Sequence, residues 1–258
     1  EALNLPGIEF TESTKRYYPY GDFASYVIGY AKTNEKTNDI EGEFGIELYY
    51  DDILSGKDGY KEYQQDMYGY QIANTPSITK KAKNGKDIYL TIDVNIQMFL
   101  EEAVTKMEKD GLEWATLTVA DAKTGEILAM VSNPIFNPNN LAEEMKAANS
   151  GSADNSPLIN RAINGLYPPG SVFKTVTLTS ALENMPSVAN RTFQDDGKIK
   201  FPDGRSLSNF GNNVYGSLSL KQSYKVSSNV VFGTLAMELG NNKLKSTAED
   251  FGFNSVIT

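Results

Sequence analysis

Two prolines and a glycine at positions 168–170 prevent any helix from running through this part of the chain, and they dictate what comes next. The stretch reads Tyr167-Pro168-Pro169-Gly170-Ser171-Val172-Phe173-Lys174, followed by an apolar, hydroxyl-rich run from Thr175 to Leu182. Proline cannot sit inside a helix but is well placed just ahead of one, so a helix is predicted to begin at about Ser171. Residues three apart share a helix face, which puts the Lys174 amine one turn from Ser171 and within reach of its hydroxyl. That is a nucleophile beside a possible base. A lone pair at this spacing is more often a capping serine and a helix lysine with no chemistry between them, so its meaning depends on the rest of the chain.

The absence of histidine narrows the chemistry. With no His and no Cys, a Ser-His-Asp triad, a thiolate nucleophile and the usual zinc sites are all excluded, and acid–base work falls to Lys, Asp, Glu or Tyr. A net charge of -9 argues against nucleic acid as a partner, since a phosphate-binding surface needs a basic excess. No run approaches the roughly 18 apolar residues of a membrane-spanning helix. The chain opens on Glu1 rather than Met and reads as an excised piece, which leaves an upstream anchor or signal segment open.

Residues 1 to about 85 are rich in Tyr, Gly, Asp and Lys, with short strand-like stretches such as Ser25–Tyr30, and are predicted to form an extended β-rich or irregular module. Within it, the glycines of the 41–50 stretch lead into a short helix that Gly56 ends. The polar run Lys80–Lys86 marks a boundary, giving a division into 1–85 and 86–258. Ile88–Ile92 is predicted as a strand and Asp93 as the cap of a helix whose Ile96, Phe99, Leu100, Ala103, Val104 and Met107 face a core, closed by Gly111. Trp114–Ala120 and Glu126–Ser132 make an antiparallel hairpin, with Lys123-Thr124-Gly125 at its turn. Residues 149–157 hold too little apolar material to pack and are expected to form a mobile loop. Arg191–Asn213 reads as a polar β-like segment turning at Asp203-Gly204. Leu218–Lys225 reads as a short helix, Ser227-Ser228-Asn229 interrupts it, and a helical pattern resumes over Val230–Leu239 until Gly240; a last helix is expected over about 242–250. The hydroxyls and amide at 227–229 can cap both neighbouring helices.

Ser171-x-x-Lys174 followed by Ser227-x-Asn229 resembles the first two signatures of penicillin-binding transpeptidases and serine β-lactamases. The surroundings are similar to class B penicillin-binding proteins in particular: Asn160-Arg161-Ala162, the hairpin from Asp121 to Ser132, Arg16-Tyr17 with Gly21, the Gly42–Glu47 stretch with Leu54-Ser55-Gly56, and Leu90-Thr91-Ile92-Asp93. A class D β-lactamase or a penicillin-sensor domain shares Ser171 and Lys174 but not the N-terminal part, and these stand as runners-up beside a non-catalytic scaffold. The family's third signature, Lys-Thr/Ser-Gly, follows the second in sequence. The one Lys-Thr-Gly here, at 123–125, precedes Ser171 and is a decoy, so the C-terminal part of the catalytic domain is expected to be missing.

The resemblance implies an α+β fold, with a β-rich pedestal ahead of the N-terminal part of a transpeptidase domain. It implies that Ser171 attacks the penultimate D-Ala carbonyl of a peptidoglycan stem peptide and that β-lactam antibiotics trap the acyl stage. It implies Ser227 as a proton relay, Asn229 as a contact to the substrate amide, and the Ser171 backbone N–H as one oxyanion donor. It also implies a membrane-anchored parent at the outer face of a bacterial cytoplasmic membrane, with cell-division or elongation proteins as partners and no cofactor or metal. The residue chemistry agrees on one point: an amine with an ordinary pKa of about 10.4 must be neutral to act as a base, and lowering that pKa by about 3 corresponds to roughly 4 kcal/mol, obtainable by burial beside groups such as Phe173.

Overall fold

A computed structural model describes residues 14–75, 77–150, 156 and 158–256. By packing, the chain divides into two compact units, Glu1–Leu166 and Tyr167–Thr258.

The first unit runs α1 (Ser25–Ile28), β1 (Tyr30–Thr33), β2 (Ile40–Phe44), α2 (Gly45–Tyr49), α3 (Asp51–Leu54), β3 (Tyr60–Tyr63), β4 (Ser77–Lys80), α4 (Val94–Lys109), β5 (Thr116–Ala120), β6 (Ile127–Ser132), α5 (Leu141–Ser150) and α6 (Arg161–Asn164). Its strands pair as three separate antiparallel ribbons, β1–β2, β3–β4 and β5–β6. Aromatic rings fill one of its cores, where Tyr26 meets Phe136 edge-on at 5.2 Å and Tyr30 stacks on Phe44 at 5.8 Å. The strand expected to start at Ser25 begins only at Tyr30, because residues 25–28 close a helical turn first. Gly29 explains the switch: at φ +81° it passes so close to Phe44 that a Cβ would lie 1.8 Å from the Phe44 carbonyl oxygen.

Asp93 caps α4 as predicted, accepting from the N–H groups of Asn95 (2.9 Å) and Ile96 (3.0 Å). The expected strand 88–92 forms no ladder. It is tied to β6 by the Thr91 hydroxyl on the Ile127 carbonyl and by the Asp93 N–H on the Leu128 carbonyl, at 2.6 and 2.8 Å. The core face of α4 also differs from the apolar pattern: Phe99 is 70% exposed, while Gln97 is buried. That glutamine replaces a missing strand partner, its amide bonding both the N–H (2.9 Å) and the carbonyl (3.0 Å) of Met130 on β6. Glu101, one turn on, accepts from the Ala24 N–H at 2.8 Å and so links α4 to the N-terminal stretch. Lys123-Thr124-Gly125 forms the β5–β6 turn, with the Lys123 and Thr124 N–H groups on Asp121 Oδ1. Asn160 caps α6, and the buried Arg161 guanidinium holds the Asn133 carbonyl at 3.0 Å. The loop expected over 149–157 lies outside the described residues, apart from the end of α5 and Ser156.

The second unit begins with a 3-10 turn, Gly170–Phe173, and continues α7 (Lys174–Asn184), β7 (Thr192–Asp195), β8 (Lys198–Lys200), β9 (Ser206–Ser208), β10 (Gly216–Ser219), α8 (Leu220–Lys225) and α9 (Asn229–Asp250). β7 pairs with β10 and β8 with β9, both antiparallel. The turn expected at Asp203-Gly204 joins β8 to β9, with Gly204 at φ +85°. The two expected C-terminal helices are α9, interrupted at Gly240, whose φ of +74° and ψ of 166° are not helical. A core of Ala181, Val188, Phe193, Leu218, Leu220, Val231, Phe232, Leu235 and Leu239 packs α7 and α9 against the β7–β10 ribbon. Gly233 lets the β8–β9 hairpin lie close on α9, since a Cβ there would meet Ile199 at 2.8 Å and Leu207 at 3.0 Å.

Leu235 is fully buried at the centre of this core. Leu235→Ala is expected to cost about 2–5 kcal/mol, the transfer loss plus the cavity left behind. Denaturant unfolding of the full-length protein measures it, and a loss under about 1 kcal/mol would mean that the α7–α9 contact does not hold the unit together.

Candidate active site

Pro169, in helical conformation at φ -66°, precedes a Gly170 at φ +56°, a left-handed position that a side chain would disfavour. The chain therefore enters a 3-10 turn rather than an α-helix at Ser171. A 3-10 turn has three residues per turn, so residues three apart eclipse one another. This stacks Lys174 directly on Ser171, with Nζ 3.2 Å from the Ser171 hydroxyl oxygen. Ser171 is exposed and Lys174 half-buried. Behind them the Phe173 ring rests edge-on against Phe253 at 5.3 Å.

The second half of the site comes from the junction of α8 and α9. Ser219 opens α8 with a reciprocal capping box to Gln222. Beyond its end Ser227 adopts φ +56°, and its N–H returns to the Tyr224 carbonyl at 3.1 Å. Ser228 caps α9, its hydroxyl accepting from the Val231 N–H at 3.0 Å. The left-handed turn aims both the carbonyl and the hydroxyl of Ser227 at Lys174 Nζ, at 2.7 and 2.8 Å, and the Asn229 side-chain oxygen joins them at 2.6 Å. All four residues singled out from the sequence, Ser171, Lys174, Ser227 and Asn229, thus converge on one amine.

Every oxygen around that amine is neutral, and among the described residues Lys174 has no salt bridge. Burial therefore acts unopposed by a carboxylate and pushes the Lys174 pKa below its ordinary 10.5. The four oxygens outnumber the N–H groups in either protonation state, three for an ammonium and two for a neutral amine.

Three residues that hold this arrangement escaped the sequence reading. The Asn229 amide nitrogen donates to the Ser208 carbonyl on β9 at 2.9 Å, and its backbone N–H donates to Asn209 Oδ1 at 2.8 Å. Asn209 and Ser228 in turn bond the buried Asp195. Asp195-Asp196-Gly197 reads locally as turn chemistry, and nothing in the spacing links it to residues more than thirty positions on. Among the described residues no cluster of His, Cys, Asp or Glu is placed to hold a metal ion, and no helix is long and apolar enough to cross a membrane.

Comparison with known proteins assigns both halves of the chain. Residues 115–257 match the penicillin binding protein transpeptidase domain, and residues 1–90 match the penicillin-binding protein dimerisation domain. Peptidoglycan D,D-transpeptidase MrdA of Escherichia coli K12 is 32% identical over 96% of this chain and 41% of its own length. The D,D-transpeptidase domain of a peptidoglycan glycosyltransferase from Eggerthella lenta is similar in structure, with a TM-score of 0.71 and 35% identity over 95% of this chain and 49% of the other. A penicillin-binding protein, PBP2, solved in complex with MreC from Helicobacter pylori, has a TM-score of 0.77 and 28% identity over 93% and 46%. The chain spans less than half the length of each of these relatives. On the matched domains, the fold and the order of its motifs, the chain belongs to the class B penicillin-binding proteins of the transpeptidase family.

Proposed function

We propose that this chain carries the acylation machinery of a peptidoglycan D,D-transpeptidase, with Ser171 as nucleophile, Lys174 as its base, Ser227 as proton relay and Asn229 as a substrate contact. One observation carries the reading: the Lys174 amine touches Ser171 Oγ at 3.2 Å, Ser227 Oγ at 2.8 Å and Asn229 Oδ1 at 2.6 Å simultaneously. Neutral Lys174 accepts the Ser171 proton as Oγ bonds to the penultimate D-Ala carbonyl carbon of a stem peptide. The proton then passes through the Ser227 hydroxyl to the leaving D-Ala nitrogen as the C–N bond breaks. The amine of a second stem peptide attacks the resulting ester, forming the cross-link and releasing Ser171. A β-lactam is opened by the same first step, but its leaving nitrogen stays tethered. The Ser171 backbone N–H serves in this reading as one donor to the developing oxyanion.

The division of labour we propose is a non-catalytic pedestal over 1–85 and a transpeptidase domain over 86–258, supported by the two domain matches at 1–90 and 115–257. The likeness to a PBP2 solved with MreC supports a protein partner of the elongation kind, and the peptidoglycan chemistry of the relatives supports a place at the outer face of a bacterial cytoplasmic membrane.

The pH dependence of acylation tests the assignment of the base. Because burial disfavours the charged form of Lys174, its pKa is depressed, and the competent neutral form accumulates as pH rises through that lowered value. Acylation by a fluorescent penicillin is expected to rise with pH and to level off with an inflection below 10.5. A rate independent of pH across about pH 6–10 would remove Lys174 as the base.

A further inference from the structure

Behind Ser227 and Asn229 lies a carboxylate that the acyl-transfer scheme does not use. Asp195, the last residue of β7, is fully buried. Its Oδ1 accepts from the Gly197 N–H at 2.8 Å and from Asn209 Nδ2 at 2.8 Å, and its Oδ2 accepts from Asn209 Nδ2 at 3.0 Å and from the Ser228 hydroxyl at 2.5 Å. Among the described residues it forms no ion pair. A buried carboxyl group is tolerated only when donors satisfy its oxygens. Two of the donor groups here belong to the residues that shape the 227–229 turn.

The consequences follow from what each group can do. The Asp195 oxygens accept in each of these four contacts, and the Asn209 amide faces them with its NH2 end. The NH2 turns toward Asp195, and Oδ1 is left to accept from the N–H groups of Asn229 (2.8 Å) and Val230 (3.2 Å) in the first turn of α9. The same carboxyl group accepts from the Ser228 hydroxyl, which leaves an oxygen lone pair on Ser228 for the Val231 N–H at 3.0 Å. Residues 228–231 are thereby pinned from two sides by one carboxyl group. Ser227 is held in the left-handed region at φ +56°, a conformation that strains a residue with a Cβ and persists only where its surroundings enforce it.

We propose that Asp195 is a positioning residue of this site: by accepting from Ser228 and Asn209 together, it locks the turn that brings the Ser227 and Asn229 oxygens onto Lys174, and so governs the rate of Ser171 acylation. The inference rests on the reading of Ser171 and Lys174 as the acylating pair, and it adds a residue that never touches the reacting atoms.

The test uses the full-length protein, a fluorescent penicillin, and thermal unfolding measured alongside. Asp195→Asn keeps the shape but puts an amide donor where an acceptor was, and Ser228→Ala deletes the donor on the other side. Each is expected to slow acylation per folded molecule by about 10- to 100-fold, the range typical of residues that orient a functional group. Each should also move the rising limb of the pH profile upward, because a relaxed turn lets water reach the Lys174 amine. The double variant should be little slower than the slower single one, since both break the same contact. Leu239→Ala, a core change remote from these hydrogen bonds, should lower the melting midpoint while leaving rate and limb in place. Should Asp195→Asn not fold, Ser228→Ala alone decides. The proposal is overturned if the folded variants acylate within about threefold of the parent, a difference of roughly 0.65 kcal/mol, or if they slow without moving the limb. Labelling that survives Ser171→Ala would instead overturn the reading on which the proposal rests.

Discussion

Lys174→Arg is expected to slow acylation of Ser171 by about 10²- to 10⁴-fold, the contribution of a positioned general base. The substitution keeps a cation and its capacity to donate. It removes the capacity to deprotonate, because a guanidinium stays charged at any accessible pH. The geometry makes that loss decisive. Three of the four oxygens around the amine belong to Ser227 and Asn229, all are neutral, and the chain contains no histidine to take over. Stability should fall by less than in Leu235→Ala, since one half-buried basic side chain is exchanged for another and no cavity opens. Stopped-flow acylation with a β-lactam, beside thermal unfolding, separates the two effects. An acylation rate within about tenfold of the parent, an effect of about 1.4 kcal/mol, would point to another base.

The local chemistry of the chain was legible where it is set by a few adjacent residues. Pro168-Pro169-Gly170 announced the start of a helix, Asp93 its cap, and Gly240 a break, each by backbone restrictions that act within a turn. The reading missed what distance in sequence hides. Gln97 reads as a polar helix residue yet is buried against β6, because the segment 88–92 leaves backbone groups of Met130 without a strand partner. Phe99 fits the apolar period yet is exposed. The 3-10 character of the Ser171 turn depends on the left-handed Gly170, and it stacks serine and lysine more closely in angle than the α-helix that the spacing suggested. Asp195, Asn209 and Ser208 lie in what reads as a polar β segment. Ser208 and Asn209 reach the site at the end of the β8–β9 hairpin, which Gly233 lets approach α9, and Asp195 reaches it from the end of β7 through Asn209 and Ser228.

Ser171→Ala is expected to have the largest effect of any single change, abolishing covalent labelling while leaving the unit folded. The side chain is exposed, so removing its hydroxyl opens no cavity, and among the described residues its side-chain partner is the Lys174 amine, which keeps its three other oxygens. Ser227 is also within reach of the amine, at 2.8 Å through its hydroxyl, and is the alternative nucleophile that the geometry permits. Ser228 is not, because its hydroxyl is buried and committed to Asp195 and the Val231 N–H. The most direct measurement is therefore to acylate the full-length protein with a penicillin, digest it, and locate the adduct by mass spectrometry. The account predicts the adduct on Ser171 alone and none on the Ser171→Ala protein; an adduct on Ser227, or undiminished labelling of the variant, would contradict it.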